Sequence, residues 1–440
     1  MRRATLVAAL ALAGCSLGAP RPLPLAPASA TLPDITSGAG KIEHVVYIVQ
    51  ENRSFDAMFQ GYPGADTVSS GKNSRGQTIA LRPVSLKKKY EILHGADAMF
   101  AACDGTGKLP GTQCRMDGFD KEGAEGGPPN PEYVYVPHDE SKPYFDIAHE
   151  FVLADRMFQS QLDESFVAHQ YIIAARAQAS VDVPLLQWGC GGGPADTVRT
   201  LTHERTYAGP QQACFDYNTL GDELDAAGLP WRFYTSRYTI PDSGFWSGYQ
   251  AVKHIFDGPD WAKDVITPQK QFLTDIAAGK LASFTWITPL CKDSDHVSCG
   301  GGYGPSWVAS LVNAIGESKF WNHTVVFVQW DDWGGTYDHV RPHYKGFDGT
   351  GFRVPLIVIS PYAKENYVSH VEYETTSVLR YAEDLFGLGQ LSEADARATS
   401  PAADCLDFTQ KPRKFVPIKA PYSRDFFLHE SGDERIPDEE

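Results

Sequence analysis

Positive charge is scarce in this chain. Lys and Arg total 39 against 55 Asp and Glu, a formal net charge of −16 over 440 residues. Binding to a nucleic-acid backbone draws on clustered Lys and Arg, so nucleic acid is excluded as the expected partner. The one basic run, Lys87-Lys88-Lys89, reads as a solvated face. After residue 40 there is no apolar run long enough to span a bilayer and no internal repeat. No Cys-x-x-Cys pair occurs, which argues against a thiolate zinc site. No Gly-x-Ser-x-Gly occurs either, so an α/β-hydrolase nucleophile elbow has no support.

What is present describes a globular, exported protein. Hydrophobic residues make up 42% and charged residues 21%, enough to build a large core and to exclude wholesale disorder. Gly 40 and Pro 30 together predict many turns and long surface loops. Residues 1–14 have a signal-peptide layout: Arg2-Arg3, a short apolar run, then small residues. Leu12-Ala13-Gly14-Cys15 looks like a lipobox, which makes Cys15 the lipid-bearing first residue of the mature chain. Ordinary cleavage near Ala28-Ser29-Ala30 is the competing reading. The Pro/Ala-rich stretch within residues 15–40 reads as a tether, and residues 41–440 as a single domain. The expected location is therefore outside the cytoplasm, anchored to a membrane through lipid, with plain secretion as the alternative. Export permits disulfides. Pairing neighbours in sequence joins Cys103–Cys114, Cys190–Cys214 and Cys291–Cys299 and leaves Cys405 over, although spacing alone does not dictate connectivity.

The run His44–Gln50 predicts a buried strand, as do Ala282–Thr288, Thr324–Trp330 and Val354–Ser360. Helical patterns appear at Tyr144–Phe158, Ala168–Ala179, Asp222–Ala227, Asp260–Ala278 and Trp307–Ile315, while residues 60–135 read as loops. Strands alternating with helices predict an α/β fold, a mostly parallel sheet with helices on both faces and long loop insertions. Such sheets place ligands beyond the carboxyl ends of their strands. Two strands end in oxygen donors: Glu51 and Asn52 follow the first, Asp331 and Asp332 follow Trp330. If sheet order brings them together, three carboxylates and an amide call for a hard divalent cation such as Mg, Ca or Mn. Capping by Asn52 and Asp332 is the alternative. Gly334-Gly335 serves either a close backbone approach to an ion or phosphate, or a tight turn. Asp338-His339 is either an orienting carboxylate–imidazole pair or a surface salt bridge. Ser165 precedes a helical stretch, as an N-cap or as a hydroxyl beside an anion-binding helix terminus. Among the histidines His94, His254, His296 and His339, the Asp295-His296 pair stands out, because an adjacent carboxylate can orient an imidazole.

Several segments together resemble the phosphoesterase family of the alkaline-phosphatase superfamily, which holds phosphatidylcholine-type phospholipases C and acid phosphatases. The likeness runs through HVVYIVQENRSFDAMF (44–59), RMDGF (115–119), the segment 151–175, SDH (294–296), WNHTVVFVQWDDWGGTYDHVRP (321–342), the segment 351–370 and TTSVLRYAEDLFGL (375–388). The resemblance implies an alkaline-phosphatase-like fold and a metal-dependent phosphoesterase. It makes Ser165 the nucleophile and Glu51, Asn52, Asp331, Asp332 and the Ser165 oxygen the ligands of one divalent metal ion. His94 and His296 become phosphate-binding and proton-transferring groups. The segment DESFVAHQ replaces the Thr-bearing GPTNPNR-like nucleophile segment usual in the phospholipases, and WDD also leans toward the acid phosphatases. The expected reaction is hydrolysis of phosphate monoesters through a phosphoseryl enzyme, with an acidic or neutral optimum. Phospholipase C and a non-catalytic surface lipoprotein are the alternatives.

Overall fold

A computed structural model describes residues 35–236, 246–347 and 349–432. The signal peptide 1–14, Cys15 and most of the tether lie outside the described residues. Among the described residues no helix is long and apolar enough to cross a membrane.

The central sheet has eight strands. In chain order they are β1 (His44–Gln50), β2 (Val152–Ala154), β3 (Trp231–Tyr234), β4 (Val265–Ile266), β5 (Phe284–Ile287), β6 (Thr324–Trp330), β7 (Leu356–Ile359) and β8 (Tyr367–Ser369). They lie side by side as β4-β3-β5-β1-β6-β7-β2-β8. Neighbours pair in parallel except at β7, which runs antiparallel to both β6 and β2. The strands are continuous apolar runs because both faces are covered: all seven residues of β6 are buried, and six of seven in β1. Each buried Val or Ile contributes about 1.5–3 kcal/mol through the water its side chain leaves.

Two groups of helices account for that burial. One contains α1 (Lys142–Glu150), α4 (Gln271–Ala277), α5 (Gly304–Gly316) and α7 (Arg424–His429); the other contains α2 (Ser165–Ala174), α3 (Leu220–Ala226) and α6 (Ser377–Phe386). The helix expected over Tyr144–Phe158 stops at Glu150, and its apolar end becomes β2 and a short strand at Met157–Phe158. A short run buried on every side carries no period that separates helix from strand. The helix expected over Asp260–Ala278 is two helices, Pro259–Asp264 and α4, with β4 between them. The region expected to be loops, 60–135, contains a helix at Ala96–Cys103 and several two- and three-residue strands. The three disulfides join Cys103–Cys114, Cys190–Cys214 and Cys291–Cys299; Cys405 is free and buried.

Candidate active site

β1 and β6 are parallel neighbours whose last residues, Gln50 and Trp330, are in register. The chain therefore leaves both strands at the same end of the sheet, and the Asp331 N–H donates to the Gln50 carbonyl at 2.9 Å. Glu51, Asn52, Asp331 and Asp332 emerge together at that edge, all fully buried. Asn52 sits at φ 54°, a left-handed conformation, and its N–H donates to Asp331 Oδ1 at 3.1 Å. Neither Asn52 nor Asp332 is the N-cap residue of a helix. The cap of the helix Phe55–Phe59 is Ser54, whose Oγ accepts from Ala57 N–H and donates to the Tyr337 carbonyl.

Ser165 is the first residue of α2, with Glu164 in the cap position. Its hydroxyl lies 3.0 Å from Asp332 Oδ2, 3.4 Å from Asn52 Oδ1 and 3.5 Å from Glu51 Oε2. His94 joins from the 60–135 insertion. Its Nδ1–H donates to the Ile92 carbonyl at 2.8 Å, which turns Nε2 toward Asn52 Nδ2, 2.8 Å away. The His296 ring stands edge-on to His94, with centroids 5.8 Å apart. Ser298 orients it, because its N–H donates to His296 Nδ1 at 3.1 Å. The expected orienting role of Asp295 is thus a correction. Asp295 turns inward, accepting from Tyr144 O–H at 2.8 Å and Trp330 Nε1–H at 3.1 Å. Burial lifts its carboxyl to about 7, against the opposing pull of those hydrogen bonds and of Arg53.

The structure adds one residue that the sequence reading missed. His169 Nε2 lies 3.0 Å from Glu51 Oε1 and 3.6 Å from Asp331 Oδ2. Glu51, His169 and Asp331 each present a ligand atom within 4.8 Å of the others. His169 follows Ser165 by four residues on one helix, so both side chains share a face; that spacing was the available signal. The residues fit a divalent cation. Three carboxylates converge out of water, and Asp331 Oδ2 accepts no hydrogen bond. The oxygen-only donor set expected from sequence is therefore incomplete, since an imidazole nitrogen stands among the oxygens.

The other flagged residues serve the scaffold. A Cβ on Gly334 would lie 2.3 Å from the Asn52 carbonyl oxygen, so this glycine allows two strand ends to approach, and its N–H donates to Asp332 Oδ1 at 2.7 Å. Asp338 and His339 do not pair with each other. Asp338 accepts from Arg353 Nε at 3.0 and 3.1 Å, and His339 lies between Asp56 at 2.6 Å and Asp66 at 3.0 Å. His254 bridges Asp216 and Asp222, and the Asp222 hydrogen bond above all raises it to about 9.

The profile of the Phosphoesterase family matches residues 42–389. A non-hemolytic phospholipase C of Burkholderia pseudomallei is 23% identical over 412 residues, 78% of this chain and 55% of its own length. A hemolytic phospholipase C of Pseudomonas aeruginosa is 25% identical, covering 82% of this chain and 55% of its own. For a non-specific phospholipase C of Arabidopsis thaliana the identity is 25% and the shares are 86% and 75%. The chain thus spans about half the length of those two bacterial relatives. A solved structure of a protein in the alkaline phosphatase superfamily from Vibrio parahaemolyticus aligns over 84% of this chain and 72% of its own, at 10% identity and a TM-score of 0.40.

Proposed function

Because the chain belongs to the Phosphoesterase family, whose profile spans residues 42–389, we propose that it hydrolyses phosphate esters with Ser165 as nucleophile and a divalent metal ion as cofactor. The observation that carries this reading is the placing of the Ser165 hydroxyl, buried at a helix start within 3.5 Å of Glu51, Asn52 and Asp332. Glu51, Asn52, Asp331, Asp332 and Ser165 would hold the ion, with His169 as a nitrogen donor. A mixed set of this kind extends the candidates from Mg, Ca and Mn toward Zn and Fe. When bound, the ion would lower the pKa of the Ser165 hydroxyl and polarise the phosphoryl group.

Each residue then has a task. Ser165 Oγ attacks phosphorus, and Asp332 Oδ2, 3.0 Å away, is placed to accept the hydroxyl proton. The bond from phosphorus to the departing alcohol breaks with its electron pair on the alcohol oxygen, which takes a proton from the His296 imidazolium. Water then cleaves the phosphoserine and releases phosphate. The first-turn N–H groups of α2 with His296, and His94 once its Nε2 is protonated, would donate to phosphoryl oxygens.

The finer reading is an acid phosphatase acting on monoesters; the segment DESFVAHQ supports it. A phospholipase C is the second reading, supported by the names of the relatives. The test is phosphate release from p-nitrophenyl phosphate beside phosphocholine release from phosphatidylcholine, with wild type and Ser165→Ala, with and without chelator. Ser165→Ala should lower turnover by about a thousandfold or more while metal binding persists. Turnover of the lipid alone would move the protein to the phospholipase reading. Wild-type and Ser165→Ala rates that are equal would sink both.

For its location we propose export, with a lipid on Cys15 tethering the domain to a membrane; three disulfides in the folded chain support export. Cys15→Ser should then move the protein from the membrane fraction to the soluble one.

A further inference from the structure

Buried polar atoms in folded proteins are nearly all hydrogen-bonded, because each gives up its water on burial. The segment 246–250 departs from that rule. Trp246 Nε1, Ser247 Oγ and Gln250 Oε1 are all buried, and none has a hydrogen-bond partner among the described residues. Such a concentration in one short stretch marks a surface that meets a polar ligand.

The segment stands between two parts of the candidate active site. Gly248 lies against α2: a Cβ there would be 2.4 Å from the carbonyl oxygen of His169, and Gln170 Nε2–H donates to the Gly248 carbonyl at 3.4 Å. At the start of the segment, the Trp246 indole lies beside His296, with ring centroids 6.4 Å apart and planes 31° from parallel. Trp246 is only 4% exposed. One short stretch of chain therefore touches both the helix that carries Ser165 and an imidazole expected to meet phosphate.

The chemistry of an indole narrows what Trp246 can meet. Its N–H is a donor and never an acceptor, so the partner it calls for is a lone pair. Other buried tryptophans spend that hydrogen on the protein: Trp231 on Asp225 at 3.0 Å, Trp330 on Asp295 at 3.1 Å and Trp286 on the Ile172 carbonyl at 3.2 Å. Trp333 leaves its N–H unbonded too, but inside an apolar cluster, edge-on to the rings of Phe119 and Phe352. Trp246 instead stands next to His296, where a bound ester would bring its non-bridging phosphoryl oxygens.

We propose that Trp246 is a further substrate-binding residue, whose indole N–H donates to a phosphoryl oxygen of the ester held at His296. The inference rests on the reading of this site as a phosphoesterase centre. A hydrogen bond from a neutral donor to a charged oxygen, made out of water, is among the stronger ones a side chain offers.

The experiment uses inorganic phosphate, the product, as a competitive inhibitor of p-nitrophenyl phosphate hydrolysis, with Mg, Mn and Zn each supplied. Trp246→Phe keeps an aromatic ring beside His296 and removes the N–H. Its Ki for phosphate should rise by about tenfold, the worth of one hydrogen bond to a charged group, and kcat/KM should fall by at least as much. Affinity for the metal alone should be unchanged, which separates a lost contact from a damaged fold. In wild type carrying isotope-labelled tryptophan and loaded with Mg or Zn, phosphate should move the indole N–H resonance that Trp246→Phe lacks. An unchanged Ki, a loss of metal affinity in step with phosphate affinity, or indole resonances that all stay in place would each overturn the inference, while wild-type turnover left the catalytic reading standing. Wild type that neither turns over the ester nor binds phosphate with any of those metals would overturn the catalytic reading and the inference with it.

Discussion

Two buried groups in this molecule have the same make-up, two carboxylates and an imidazole, and they are put to opposite uses. Glu51, His169 and Asp331 stand at the ends of β1 and β6 and in α2; Asp56, Asp338 and His339 stand a few residues further along the same two motifs. The second group contains its own cation. Arg353, fully buried, lies with Nε at 3.0 Å from Asp338 and Nη2 at 3.4 Å from Asp56, and its guanidinium covers Phe55 at 4.4 Å. Its Nη1 also donates to the carbonyls of Asp66 and Asp155 at 2.9 Å. That group is a strut joining the segment after β1 to the segment after β6. In the first group the His169 imidazole lies 3.0 Å from Glu51 and 3.6 Å from Asp331, whose Oδ2 accepts no hydrogen bond. The same residue types make a strut where an arginine is built in and a candidate metal centre where the described residues supply no side-chain guanidinium or ammonium.

The comparison can be broken in order of expected size. Arg353→Met leaves Asp56 and Asp338 buried without their cation and should cost about 3–5 kcal/mol in denaturant unfolding. A divalent metal at a hundredfold excess over its Kd should stabilise wild type by about 2.7 kcal/mol, and Asp331→Asn should lose most of that gain. Without metal the two groups should respond with opposite signs. Asp338→Asn removes half of a buried ion pair and should destabilise by about 2 kcal/mol, whereas Asp331→Asn relieves carboxylate repulsion and should stabilise by about 1 kcal/mol. Destabilisation by both would show that the centre needs no external cation.

Asp295 sharpens the contrast from a third side, since hydrogen bonds from Tyr144 and Trp330 hold it. Burial raises its pKa from 3.8 to about 7 in the folded protein. A folded value above the unfolded one means that its contribution is whole at low pH and is lost as pH rises through 7. Wild type should therefore lose about 1–2 kcal/mol more than Asp295→Asn between pH 5 and pH 8, measured as unfolding free energy at each pH.

Much of this was legible in the chain. The strands at 44–50 and 324–330 could be read because a strand covered on both faces must be apolar throughout. The cysteine pairs could be read because each joins close neighbours in sequence. Glu51, Asn52, Asp331 and Asp332 could be read because a polar residue directly after a buried strand sits at the sheet's edge. Other features had little or no local signal. His169 offered only its four-residue spacing from Ser165, because in a helix buried on every side a polar residue has no exposed stripe to contrast with. The turning of Asp295 toward Tyr144 and the capture of Asp338 by Arg353 each depend on residues distant in sequence.

The sequence by itself therefore determined the two central strands and the donor types that follow them, since an apolar run and the residues after it are local properties of a chain. Only the tertiary structure decided which carboxylates converge on a candidate cation site, which meet an arginine and which a hydrogen-bond network. A buried charge is governed by the nearest opposite charge, and here that partner stands far away in the chain.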